Sequence, residues 1–147
     1  ATARCLDWLP RPGGGRVVGE HDGYTRLTDP VVCRRTLDLD CSTRTLVIED
    51  EILASGRHDI ALYFHLSESC EARRDGQTVS IDFGAGRTVL RLDERLRVDM
   101  VKGDGASCAG WLSRGYHQKT PVWTIRARMT GNGRQVLRSV IELDPPR

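Results

Sequence analysis

The stretch GEHDGYTRL, Gly19 to Leu27, gathers His21, Asp22 and Tyr24 within four residues, and the arginine pair Arg34 and Arg35 follows a few positions later. Proton abstraction or hydrolysis needs a base, an acid and a group that stabilises developing negative charge. A tyrosine can serve as base and acid next to a carboxylate when arginine, histidine or a metal lowers its pKa. His21 and Tyr24 are therefore candidates for the rim of a reaction cleft. The plainer alternative is a turn at Asp22 and Gly23, with Tyr24 beginning or packing beneath the next strand.

A second constellation is GWLSRGYHQKTPVWTI, which concentrates Trp111, Arg114, Tyr116, His117, Lys119 and Trp123. Aromatic rings stack on sugar faces, and basic groups pair with carboxylate or sulfate, so Trp111, Arg114, Tyr116 and Lys119 are the candidate substrate-binding residues. Trp123 shares the parity of Ile125, Ala127 and Met129 and is expected in the core. His58 and His65 are seven apart on one predicted strand and so on opposite faces, which makes them poor ligands for one ion. His58 is expected at the strand's watered start, and His65 hydrogen-bonded between sheets or exposed. There is no HxH, no HExxH, no GxSxG and no phosphate-cradling glycine loop at a strand–helix junction. No metal site and no cofactor are expected from this chain; a metal in a longer enzyme stays open.

The elements that must hold these residues are strands. From Val31 onward the apolar residues recur with period two, while helical spacing with caps is nowhere evident. VVCRRTLDL places Val31, Cys33, Arg35, Leu37 and Leu39 on one face; TLVIEDEI does the same with Leu46, Ile48, Asp50 and Ile52. Closing the hairpin about Ser42 and Thr43 sets Leu39 against Leu46, Leu37 against Ile48 and Arg35 against Asp50. The register that pairs the leucines also pairs the charges, so Arg35 and Asp50 are expected as a structural ion pair on inward faces. HDIALYFHL, TVSIDF, RTVLRL, RLRVDMV, AGWLSRGYHQKT, PVWTIRARM and RQVLRSVIEL continue the set, joined by glycine-bearing turns such as GAG and TGNG; DPPR reads as a stop. The expectation is all-β: an antiparallel two-sheet β-sandwich of about nine to eleven strands with little or no helix. Residues 1–18, with two prolines and three successive glycines, read as an irregular lead-in, and 19–147 as one sandwich domain.

The bulk numbers set limits. With 147 residues the chain can bury one real core. No apolar run approaches the roughly 20 residues of a membrane helix, so no membrane span is expected. Lys102 and Lys119 are the only lysines among 22 basic residues, and the net charge of +2 gives no argument for a nucleic-acid partner. The five cysteines, at positions 5, 33, 41, 70 and 108, are odd in number and lack CxxC spacing; most are expected as buried free thiols, with Cys33–Cys41 or Cys70–Cys108 the conceivable bridges.

The order HDGYTRL, CRRTLDL, LVIEDEI, a glycine and histidine leading to YFHL, then GWLSRGYHQKTPV resembles the C-terminal β-sandwich of the heparinase II/III-like polysaccharide lyases. The likeness runs from about His21 to Leu143. It implies an N-terminal α/α toroid in the same protein, β-elimination on a uronic-acid-containing acidic polysaccharide, and a periplasmic or secreted location, with a cytoplasmic one still open. In that family the main catalytic tyrosine and histidine come from the toroid, and a further histidine from an HNT-like segment that has no counterpart here. The resemblance therefore carries no catalytic residue onto this chain. Where relatives often have histidine, this sequence has Cys33. The alternative reading is a stand-alone carbohydrate-binding or structural β-sandwich module.

Overall fold

The computed structural model describes residues 1–144, and the end of the DPPR tail lies outside them. The described chain contains thirteen strands and no helix: β1 (Ala3–Arg11), β2 (Gly14–Tyr24), β3 (Val31–Asp40), β4 (Thr45–Leu53), β5 (Arg57–His65), β6 (Glu71–Asp75), β7 (Thr78–Asp82), β8 (Arg87–Arg91), β9 (Arg97–Lys102), β10 (Trp111–Gly115), β11 (Gln118–Pro121), β12 (Trp123–Asn132) and β13 (Gln135–Leu143). The all-β, two-sheet antiparallel expectation holds. The described chain forms two compact units, Ala1–Ile60 with Thr130–Leu143 and Ala61–Met129 with Asp144, each taken by itself below.

The first unit carries β1-β2-β3-β4-β13 as successive neighbours of the large sheet. The β3–β4 register pairs Leu39 with Leu46, Leu37 with Ile48 and Arg35 with Asp50. Period-two burial along β4, with Ile48, Asp50 and Ile52 buried in alternation, fixes this pairing, because a slip of one residue would turn Ile48 and Ile52 to the wrong face. Leu137 of β13 lies opposite Asp50, and Ser139 opposite Ile48, so this stretch of sheet is closed off from water.

The expected irregular lead-in is instead the β1–β2 hairpin. Proline at the second and glycine at the third position of a turn is a type II pattern, and Gly13 supplies the required positive φ of 73°. Gly14 is needed for a different reason: a Cβ there would lie 2.1 Å from the Leu39 carbonyl oxygen. The glycine run thus serves a tight turn and a close strand approach. Cys5 to Asp7 holds a bulge, and Pro10 sits in this same outer strand, two devices that blunt an open sheet edge.

On the opposite face of this sheet lies a row of charges. Glu20 accepts from Arg4 at 2.8 Å and from Arg34 at 2.8 Å, and Glu51 accepts from Arg34 at 3.1 Å and is also bridged by Arg134. Arg34 and Arg35, adjacent in sequence, therefore serve separate ion-pair systems on opposite faces.

The second unit carries β8-β7-β6 and the β9–β12 pair. Its buried side chains alternate along both sets: Val79 and Ile81, Leu90 and Leu92, Val98, then Ile125 and Ala127. Period two is the cause, since each strand gives one face to the core. Leu62 is buried and Phe64 half-buried, as the β5 alternation predicts. The stretch read as a single strand, AGWLSRGYHQKT, is broken into the β10–β11 hairpin. Its tip is Tyr116 and His117, the latter at φ 60°, a conformation that histidine tolerates better than most residues.

All five cysteines are free, and the burial expected of them is only partial: Cys5, Cys41 and Cys108 are exposed, Cys33 and Cys70 half-buried. Strand edges and turns, not core faces, hold the exposed three.

Candidate functional site

Two surfaces hold the residues singled out by sequence. In the first unit, Asp22 and Gly23 lie at the end of β2, in the register irregularity between His21 and Tyr24, and the Asp22 carbonyl accepts the Thr25 amide at 3.0 Å, which makes the expected turn. The Asp22 carboxylate accepts the Thr2 amide at 2.5 Å, and this bond holds its pKa below the usual aspartate value. His21 Nδ1 accepts the Gly23 amide at 3.3 Å, which leaves Nε2 to carry the proton of the neutral ring. The His21 and Tyr24 rings stand 5.7 Å apart, tilted by 59°, with Tyr24 half exposed. The two rings are thus brought together, but no arginine bond to Tyr24 and no carboxylate bond to His21 occurs among the described residues. His21 pairs across the strands with Cys33, whose thiol is pushed up in pKa by burial and by the Asp50 charge.

A carboxylate missed by the sequence reading steadies the loop after Tyr24. Asp29 Oδ2 lies 2.7 Å from His58 Nε2 and accepts the Gly56 amide at 2.6 Å. His58 is thus mostly covered, not left at a watered strand start. Nothing in the spacing of Asp29 and His58, 29 residues apart, announces the pair. The His58 bond is the first cause that lowers the Asp29 pKa from 3.8, with the Gly56 bond second. A depressed carboxylate stabilises the fold above its unfolded pKa and loses that contribution as pH falls through the folded pKa. Amide exchange at Gly56 should therefore quicken on acidification below the ordinary aspartate range. In His58→Ala the same loss should begin at higher pH, and an unchanged midpoint would refute the coupling.

In the second unit the β10–β11 hairpin holds Trp111, Arg114, Tyr116 and Lys119 together. Gly103, at φ 60°, and Gly110, at φ 78°, shape the loop beneath it. The Gly110 carbonyl accepts the amides of Gly103 at 2.9 Å and Val122 at 2.8 Å, pinning both ends of the hairpin. A Cβ on Gly103 would lie 2.8 Å from Pro121 Cβ, so the glycine lets the loop pack against the end of β11, with the Trp111 indole alongside. The indole Nε1 donates to the Asp104 carbonyl at 3.2 Å, and the Lys119 ammonium sits 4.2 Å from the ring centroid. That contact is a cation–π arrangement on a half-buried ring. Tyr116 is 90% exposed at the tip, with its ring 4.1 Å from that of His117.

Arg114 points to a partner that the sequence did not suggest. Its Nε and Nη2 donate to the two oxygens of Glu68 at 2.6 and 2.9 Å. The Arg114 fork is the main reason that the Glu68 pKa falls to about 2. Nearby, the Trp123 indole donates to Glu71 at 3.0 Å while Lys102 bonds the same carboxylate at 2.8 Å and lies 5.4 Å from the Trp123 ring. Trp123 is therefore only half in the core, tethered at its rim by a polar handle. His65 is exposed, bonded to Thr124 Oγ1 at 3.1 Å and stacked parallel to Tyr63.

Elsewhere on the first unit, a depression of about 260 Å³ is lined by Arg16, Thr36, Asp38, Val47, Glu49 and Arg138, none of them a sequence candidate. Among the described residues no three His, Cys, Asp or Glu side chains gather as ligands for one metal ion. Among the described residues no helix is long and apolar enough to cross a membrane.

The fold and the hairpin define a class: an antiparallel all-β domain that carries aromatic and basic side chains together on one two-stranded hairpin. The sequence matches the model of the family described as heparinase II/III-like, C-terminal, over residues 7–140, and the chain belongs to that family. In fold it is similar to a heparinase III, with 17% identity and a TM-score of 0.76 over 97% of this chain and 21% of that one. It is likewise similar to the heparan sulfate lyase HepC from Pedobacter heparinus, with 13% identity and a TM-score of 0.79 over 99% of this chain and 22% of that one. A 4-alpha-glucanotransferase from Thermococcus litoralis aligns more loosely, at 10% identity and a TM-score of 0.57, over 92% of this chain and 22% of that one. No curated protein matches the sequence. The chain spans about a fifth of the length of the lyases whose fold it shares.

Proposed function

We propose that this chain is the C-terminal domain of a polysaccharide lyase that cleaves a uronic-acid-containing polysaccharide by β-elimination, with the main catalytic groups on an N-terminal α/α toroid of the same protein. The observation that carries the reading is family membership across residues 7–140. The chemistry of the chain agrees with a supporting role: His21 and Tyr24 stand together without the arginine or oxyanion donors that an elimination needs. The β10–β11 hairpin lines the path of the polysaccharide, Trp111 and Tyr116 offering ring faces and Arg114 and Lys119 meeting carboxylate or sulfate groups.

The test compares the 147-residue chain with the same chain joined to its N-terminal domain, each mixed with heparin and with alginate. The reading expects ultraviolet absorbance of an unsaturated uronate only from the longer protein. Equal turnover by the short chain would overturn it, and so would a longer protein that binds uronate polymers and never cleaves any.

A further inference from the structure

The Arg114–Glu68 contact has the geometry that an arginine uses to hold a sugar carboxylate. Both guanidinium edge nitrogens engage both carboxylate oxygens, at 2.6 and 2.9 Å, as in a fork-to-fork pair. We propose that Glu68 is the resident occupant of a carboxylate subsite on Arg114, which a uronate of the bound polysaccharide must displace. The inference rests on the reading of the hairpin as a polysaccharide-facing element.

Three features support it. Glu68 is held ready by its own turn: Ser67 Oγ donates to Glu68 Oε2 at 3.0 Å, and the Cys70 amide closes the turn onto the Ser67 carbonyl at 3.1 Å. The preceding Leu66 amide is tied to the Trp123 carbonyl at 2.9 Å, so the carboxylate is delivered from a fixed strand end. Both partners remain open to water, with the Arg114 side chain 67% and that of Glu68 34% exposed. An ion pair so exposed contributes little and opens readily. Exchange of one carboxylate for another then costs little, while Arg114 never stands unpaired. The carboxylate of Glu68 is ionised throughout the neutral range, so the competitor is always present.

The consequence is selectivity. A small anion brings only the contact that Glu68 already makes and gains nothing by replacing it. A polysaccharide brings in addition its sugar faces to Trp111 and Tyr116 and a second charge to Lys119, four residues gathered on one hairpin. Only such a multipoint ligand outcompetes the internal carboxylate, a form of discrimination built on an internal rival.

The test titrates a glucuronate-containing tetrasaccharide, a neutral gluco-oligosaccharide and sodium acetate into the wild-type chain, Glu68→Gln and Arg114→Gln, followed by calorimetry and by amide shifts of the hairpin. Glu68→Gln should bind the acidic tetrasaccharide about two- to fivefold more tightly, with acetate now perturbing Arg114 and the neutral sugar unaffected. A purely structural role for the pair predicts the opposite sign, since loss of Glu68 would loosen the hairpin and weaken every ligand. Glu68→Asp, which keeps the charge and shortens the reach, separates the two by falling between wild type and Glu68→Gln. Weaker or unchanged binding by Glu68→Gln, alongside weaker binding by Arg114→Gln, overturns the displacement and leaves the hairpin as a binding surface. No binding by any of the three proteins overturns both.

Discussion

Replacing Arg35 by alanine is expected to destabilise the fold by about 2–4 kcal/mol, and replacing Asp50 by alanine to cost about 1 kcal/mol, although both break the same bond. The asymmetry follows from burial. Asp50 retains 9% of its side-chain exposure and Arg35 47%, and the pair is joined at 2.6 and 3.0 Å. Without Arg35 the carboxylate is left charged beside Leu137, which is wholly buried. Without Asp50 the half-exposed guanidinium turns toward water and keeps its solvation. Denaturant midpoints of the two single variants measure the difference, and equal losses would refute the account. The double variant Arg35→Met, Asp50→Leu should recover most of the stability, since it removes the charge along with its partner. The Cys33 thiol gives a second readout. Arg35 is the influence that opposes the upward push of burial and of Asp50 on that thiol, so Arg35→Ala should slow its reaction with thiol reagents at a given pH.

That ion pair was legible in the sequence because three independent patterns agreed on it. Period-two apolar residues fixed the faces of β3 and β4, the polar DCSTR segment fixed the turn, and the one register that matched Leu37 to Ile48 set Arg35 opposite Asp50. The β1–β2 hairpin was not legible, because Gly13 and Gly14 work through a positive φ and a close carbonyl approach. Such uses of glycine leave only a run that resembles a flexible linker. In the second unit, the spacing of Trp111, Arg114, Tyr116 and Lys119 shows that they share one stretch of chain, which folds as the β10–β11 hairpin, but it does not show their partners. Glu68 lies 46 residues from Arg114, and Asp29 lies 29 from His58, both in connections that carry no period. Long-range pairing of loop carboxylates is decided by topology, and topology is what alternation along a single strand does not encode.

Trp111→Ala is expected to weaken binding of an acidic polysaccharide to this chain about ten- to a hundredfold, as truncation of an aromatic anchor in an interface does. Trp111 is the one ring of the hairpin that is both reachable and fixed. Its half-buried indole is held by the Asp104 carbonyl, so a sugar that stacks on it orders no mobile ring. Tyr116, nearly free of neighbours at the tip, must be immobilised on binding, and Tyr116→Ala should cost only a few-fold. Lys119 rests over the indole and must move aside or share the sugar, which its four-carbon stem permits. Trp111→Phe keeps the stacking face and loses the tether to Asp104, so it should retain most of the affinity while raising the mobility of the ring. Affinity chromatography on immobilised heparin ranks the four proteins, with near-ultraviolet circular dichroism to confirm the hairpin. A Trp111→Ala protein that elutes with the wild type would remove the indole from the polysaccharide path and leave Arg114 and Lys119 as the groups that the polymer meets.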